Sequence, residues 1–200
     1  IDFALSSMTN AGIRDVGLIV QRDYQSLLDH VGSGKSWDMS LKKGGLRMLP
    51  PFGLPEYHKG NYAGTMEALN SVFLYIRDIP QKYVVLMLGN VCANIDLSAA
   101  IEQHLESGAE ITALCAAENY KSLHHRYVVD EEGFVKQLLF DRSGEGEGVR
   151  SLEGYIIAKE TLLDLMERCR AENLYRFHRD GILTWLREGG KMKLYIHQGY

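Results

Sequence analysis

The stretch that most constrains this chain is Tyr83-Val84-Val85-Leu86-Met87-Leu88, followed at once by Gly89-Asn90. An uncharged apolar run containing β-branched valines predicts a strand buried on both faces of a parallel sheet. Gly89 lets the chain turn tightly, which leaves Asn90 at the carboxyl end of that strand. Open α/β sheets bind ligands at that edge. A carboxylate there would hold a divalent cation and the phosphates attached to it, because hard cations prefer charged oxygen ligands. This chain presents an amide.

The rest of the order supports an α/β reading. Residues 1–8 form a helix ended near residues 10–12, and 16–20 a buried strand. Residues 24–30 make a short helix with Leu27 and Leu28 inward. From 32 to 60 the chain is loop-rich, and 45–49 reads as a short edge strand closed by Pro50-Pro51. Loops of such length inside a domain are functional or mobile. Thr65 is the expected N-cap of a helix carrying Met66, Leu69, Val72, Phe73 and Ile76 at helical spacing. A helix over 97–107, ended by Gly108, and a buried strand over 111–116 follow. This β-α-β-α-β order predicts a mostly parallel, twisted sheet containing 16–20, 83–88 and 111–116, with helices on both faces. Asp130-Glu131-Glu132-Gly133 between two apolar runs signals a hairpin. Residues 141–150 read as a mobile, glycine-rich segment. A strand at 152–158, helices at 159–171 and 175–188, and a last strand at 193–197 complete the chain.

Composition narrows the function classes. Two hundred residues with 46% hydrophobic content suit one domain. A net charge of −4 gives no reason to expect nucleic acid or an anionic membrane as partner. No run approaches the roughly 18 apolar residues of a membrane span. Cys92, Cys115 and Cys169 are three, widely separated and outside any CxxC spacing, which favours reduced thiols and a cytoplasmic setting. The seven histidines also lack ligand spacing.

Several segments together resemble the bacterial glucose-1-phosphate adenylyltransferases (ADP-glucose pyrophosphorylases). Residues 1–13, Ile-Asp-Phe-Ala-Leu-Ser-Ser-Met-Thr-Asn-Ala-Gly-Ile, are similar to that family's IDFALSNxxNSGI. Gln21 fits its TQY step, Tyr62-Ala63-Gly64-Thr65-Met66-Glu67-Ala68 its YRGTADA, residues 83–90 its YVVILAGDH, and Gly154-Tyr155-Ile156-Ile157 its GIYVF. The resemblance implies a Rossmann-like nucleotidyltransferase domain over 1–200. It also implies that an N-terminal triphosphate loop and a C-terminal β-helix belong to the whole protein. The family joins ATP and glucose 1-phosphate into ADP-glucose and pyrophosphate with Mg2+. By this resemblance Tyr62, Gly64, Thr65 and Gly89 would contact the nucleotide, and His125, Arg142 and Gly154 the sugar phosphate.

The departures from the family pattern cluster on its chemistry. The magnesium-binding aspartate of GDH falls on Asn90. The glycine of FGV, where the backbone approaches the sugar, falls on His125. The lysine of EKP falls near Asp141, with Arg142 one step away, and the second metal aspartate of DFGKD falls on Arg176. An amide lacks the charge a cation needs, Arg176 repels the ion, and Asp141 opposes a sugar phosphate. No intact catalytic or metal set is therefore expected, and no bound Mg2+. The pattern resembles the regulatory partner subunit found beside a catalytic paralogue in glycogen-making Gram-positive bacteria. Such a chain would work in a hetero-oligomer, a tetramer in the family, and could still hold ATP or ADP-glucose. Two alternatives stay open: an active transferase that recruits acids such as Asp96 or Glu67, and a sugar-nucleotide-binding protein without that partner.

Overall fold

The structure, a computed structural model, describes residues 1–21, 24–42, 44–51, 61–117, 125–140 and 147–199. The chain divides into two compact units, one of Ile1–Ala11, Gln81–Leu162 and Leu183–Tyr200, the other of Gly12–Pro80 and Leu163–Ile182.

The first unit is built on a six-stranded sheet. Its centre is β4 (Ile111–Ala116), buried at every position. On one side of β4 runs β8 (Met192–His197), in parallel. On the other side is the ten-residue β7 (Val149–Ala158), antiparallel to β4. The far edge of β7 pairs with two strands in succession. Arg150 and Val149 meet β5 (His125–Val129), and residues 155–158 meet β3 (Tyr83–Leu86), both antiparallel. β6 (Val135–Phe140) closes the β5 edge as the expected hairpin. Asp130 organises that turn, its carboxylate accepting from the N–H groups of Glu132 and Phe134 at 3.0 and 2.9 Å, while Gly133 takes φ 80°.

The expectation of a mostly parallel sheet is thereby corrected: every ladder of this sheet except β4–β8 is antiparallel. β3 and β4 do run the same way, as a strand–helix–strand order requires. The long β7, arriving from much later in the chain, inserts between them and runs the opposite way. β3 is also not the doubly buried strand. Tyr83 is 44% exposed, the other three residues are half-buried, and β7 is the one strand it pairs with among the described residues.

Two helices of this unit follow from local sequence. α1 (Asp2–Asn10) buries Ala4, Leu5, Ser7 and Met8, and the Ser7 hydroxyl accepts the Ile95 N–H at 3.2 Å. α5 (Leu97–Ser107) starts at Asp96, whose carboxylate accepts the Ala99 N–H at 3.1 Å, and ends at Gly108 in the left-handed region. Leu97, Ala100 and His104 form its inner stripe.

His104 is 2% exposed, with Nδ1 2.7 Å from the Thr112 hydroxyl and the Tyr83 ring edge-on at 5.3 Å. Its Nε2 has no partner among the described residues. Burial pushes the imidazole pKa down. The unfolded chain therefore takes the proton first, so stability present above about pH 6.5 is lost as pH falls from there toward the folded-state value. In urea titrations between pH 7.5 and 5, His104→Gln should remove part of that acid sensitivity. Identical pH dependence in both proteins would refute this role for His104.

In the second unit, β1 (Asp15–Ile19) pairs in parallel with β2 (Gly45–Leu49), so the expected short strand at 45–49 is present. β1 thus belongs to a different sheet from β3 and β4. α2 (Gln25–Val31) follows β1. The helix expected from Thr65 divides at Val72 into α3 (Thr65–Ser71) and α4 (Phe73–Asp78). α6 (Lys159–Ala171) has the expected bounds. The helix expected at 175–188 begins instead as a wide π turn over Phe177–Ile182, and the residues after it, which belong to the first unit, form α7 (Leu183–Arg187).

Candidate functional site

The segment beyond the carboxyl end of β3 leads into an exposed turn: β3 stops at Leu86, and Gly89 and Asn90 are both exposed. A side chain at Gly89 would meet only the tip of Ile1, at 3.1 Å. Asn90 is a neutral amide there, so this turn offers no carboxylate of its own.

The acids that could replace it are engaged in holding local structure. Asp96 caps α5. Glu67 accepts the Ala63 N–H at 2.6 Å, reaching back over the first turn of α3. Asp180 accepts the Arg176 N–H at 2.9 Å, closing the turn that carries the Arg176-Phe177-His178-Arg179-Asp180 segment. Arg176 itself is exposed. Each carboxylate thus satisfies an amide that a helix or turn start leaves without an intrahelical partner. The implied Mg2+ does not fit this donor set, since the two expected ligand positions hold an amide and a guanidinium. Burial raises the thiol pKa of both Cys115 and Cys169, so neither is a ready thiolate.

Gly64 and Thr65 do sit at a helix start. The N-cap is Gly64 rather than Thr65, and no side chain caps the helix. Gly64 has ordinary extended dihedrals, so its lack of a side chain has a steric cause. A Cβ there would lie 2.2 Å from the Tyr175 carbonyl oxygen. That carbonyl accepts the Met66 N–H at 3.0 Å. Two amides at this helix start, those of Ala63 and Met66, are therefore already bonded within the protein. The Tyr62 hydroxyl lies 3.0 Å from that of Ser71, which donates to the Ala68 carbonyl.

On the sheet, Gly154 is buried in β7, where an added Cβ would lie 2.7 Å from the Leu114 side chain, so packing against β4 accounts for it. His125 opens β5, edge-on to Phe140 at 5.1 Å. Its Nδ1 lies 2.8 Å from an oxygen of Glu153. Sequence reading passed over Glu153. It occupies an irregularity in β7: Leu114 faces Gly154 while Cys115 faces Ser151, so residues 152 and 153 are extra on that strand. Glu153 takes φ 54°, a left-handed conformation that disfavours β-carbon side chains by about 1 kcal/mol. Its N–H donates to the Ser151 hydroxyl at 2.9 Å. No local pattern in the sequence marks such a bulge. Asp141 and Arg142 lie outside the described residues. Val149 and Arg150, expected at the end of a mobile segment, belong to β7.

Comparison with known proteins places these residues in context. The nucleotidyl transferase family matches residues 1–137. The chain is 33% identical over 178 residues to the glycogen biosynthesis protein GlgD of Geobacillus stearothermophilus, covering 88% of this chain and 42% of that protein. It is 29% identical over 205 residues to the glucose-1-phosphate adenylyltransferase of Thermomicrobium roseum, covering 100% of this chain and 47% of that enzyme. The enzyme of Bacillus mycoides is 27% identical over 206 residues, again across 100% of this chain and 54% of its own length. The chain spans about half the length of the curated relatives it matches. No helix among the described residues is long and apolar enough to cross a membrane.

Proposed function

The chain belongs to the nucleotidyl transferase family, and on that premise we propose that it is part of a non-catalytic, regulatory subunit of an ADP-glucose-forming adenylyltransferase. The observation that carries the reading is Asn90, exposed at the turn after β3, where the resemblance expects the metal-binding aspartate. The candidate substitutes Asp96 and Glu67 each hold a backbone amide, and drawing either onto a cation would open a helix start. Similarity to a glycogen biosynthesis protein, beside similarity to the transferases themselves, fits a division of labour between paralogues.

In this reading the cation and its charge neutralisation come from the catalytic paralogue. The present chain contributes an interface and a conformational bias. A subunit that binds one state of its partner more tightly shifts the partner toward that state by its differential affinity. The active-transferase alternative needs an acid free to meet the metal, and Asp96, Glu67 and Asp180 are each bonded to an amide. Sedimentation of the full-length protein mixed with the catalytic paralogue tests the partnership. A mixed oligomer distinct from either protein alone is expected; two independently sedimenting species would contradict it.

A further inference from the structure

His104 lies on the inner stripe of α5, at the start of its last turn, which closes with the Ser107 hydroxyl donating to the His104 carbonyl at 2.8 Å. Its two ring nitrogens have unequal surroundings. Nδ1 is 2.7 Å from the Thr112 hydroxyl, whereas Nε2 is buried without a partner among the described residues. The tautomer with its proton on Nδ1 donates to Thr112 and leaves Nε2 a bare lone pair. That is less costly to bury than an N–H lacking an acceptor. Protonation turns the same nitrogen into a charged donor in the same dry place.

The described residues around the imidazole supply no carboxylate. β3 contributes the Tyr83 ring, perpendicular to the imidazole with centroids 5.3 Å apart. Thr112 of β4 is flanked in register by Ile156 of β7 and Lys193 of β8. The Lys193 ammonium is itself held by the Glu132 carbonyl at 2.8 Å and lies over the Phe134 ring. α1 buries Ala4, Leu5, Ser7 and Met8, and on α5 Glu102 and Glu106 are exposed. Thr112 is fully buried, but Tyr83 is 44% exposed on a strand held by one ladder among the described residues. Water therefore has its shortest way to the imidazole on the tyrosine side.

We propose that Tyr83 is a gate over His104, and that acid opens the junction between Tyr83 and the last turn of α5 while the rest of the sheet stays folded. In the closed form the imidazole is neutral and dry. In the open form the tyrosine ring swings out and water solvates the imidazolium. The open form titrates near the ordinary histidine value of 6.5, above the closed form. Opening is therefore favoured as pH falls below that value, by up to about tenfold per pH unit. Edge strands and helix ends are where local openings have the smallest free energies. The device is independent of the regulatory reading.

Hydrogen exchange in the full-length protein at pH 6.5 and 5.5, corrected for intrinsic rates, tests the opening. Protection in the last turn of α5 should drop several-fold, at most about tenfold, with the β5–β6 hairpin unchanged and the response lost in His104→Gln. Unchanged protection in that turn overturns the proposal. So does a loss in step with the hairpin, which would make the imidazole a determinant of global stability alone. Titration of the His104 ring by NMR tests the gate separately. Tyr83→Phe keeps the ring and should titrate like the unmodified protein, whereas Tyr83→Ala should move the midpoint up toward the ordinary histidine value. The same midpoint in Tyr83→Ala and the unmodified protein would show that Tyr83 gates nothing.

Discussion

Asn90→Asp, introduced alone into the full-length protein, leaves ADP-glucose formation at background, whereas Asn90→Asp with Arg176→Asp and Asp141→Lys raises it by at least about a hundredfold. The resemblance assigns the metal to two carboxylate positions and the sugar phosphate to one lysine. Restoring one carboxylate leaves a guanidinium at the other metal position and an acid at the lysine position. The gains should exceed additivity, since residues that serve one ion and one substrate act as a unit. Equal, small, additive effects of all three substitutions would show that the missing charges are not what silences the chain.

Gly64→Ala should destabilise the protein by about 3 kcal/mol, at the upper end of what overpacking usually does. The new methyl group would overlap the Tyr175 carbonyl, 2.2 Å from the oxygen and 2.8 Å from the carbon. Backbone cannot rotate away as a flexible side chain can, and this carbonyl also holds the Met66 N–H. Backbone conformation contributes little, because φ −175° is open to every residue. Gly89→Ala is the matching control: its nearest neighbour is the movable tip of Ile1 at 3.1 Å, and its effect should stay below about 0.5 kcal/mol. Urea denaturation of both variants decides. A Gly64→Ala protein as stable as the parent would mean that the close approach at Tyr175 is not a fixed feature of the fold. A large loss accounts for this glycine without appeal to a bound nucleotide.

Local pattern carried the elements well and their partners poorly. The bounds of α6 and β4 were legible because an amphipathic stripe and an uncharged run are local signals, and the β5–β6 hairpin because Asp130 and Gly133 have turn chemistry. The direction shared by β3 and β4 followed from the helix between them. What lay between them did not, because β7 enters from distant sequence and reverses the ladder on both of its edges. β3 then misled: Tyr83 to Leu88 is as apolar as a central strand, yet β4 holds the buried centre. Thr65 looked like a cap, but the close approach of Tyr175 makes Gly64 the first residue of the turn. That Asn90 lies just beyond β3 was legible from the apolar run and Gly89. Glu153 was invisible, since its conformation depends on a register shift between two strands.

The most direct test of the non-catalytic reading is ADP-glucose synthesis by the unmodified full-length protein, alone and mixed with the catalytic paralogue. The account predicts no turnover above background for the protein alone, and a mixture whose rate differs from that of the paralogue by itself. Turnover by the isolated protein on the order of 1 per second, an ordinary enzymatic rate, would contradict it and establish an active transferase with a different set of metal ligands.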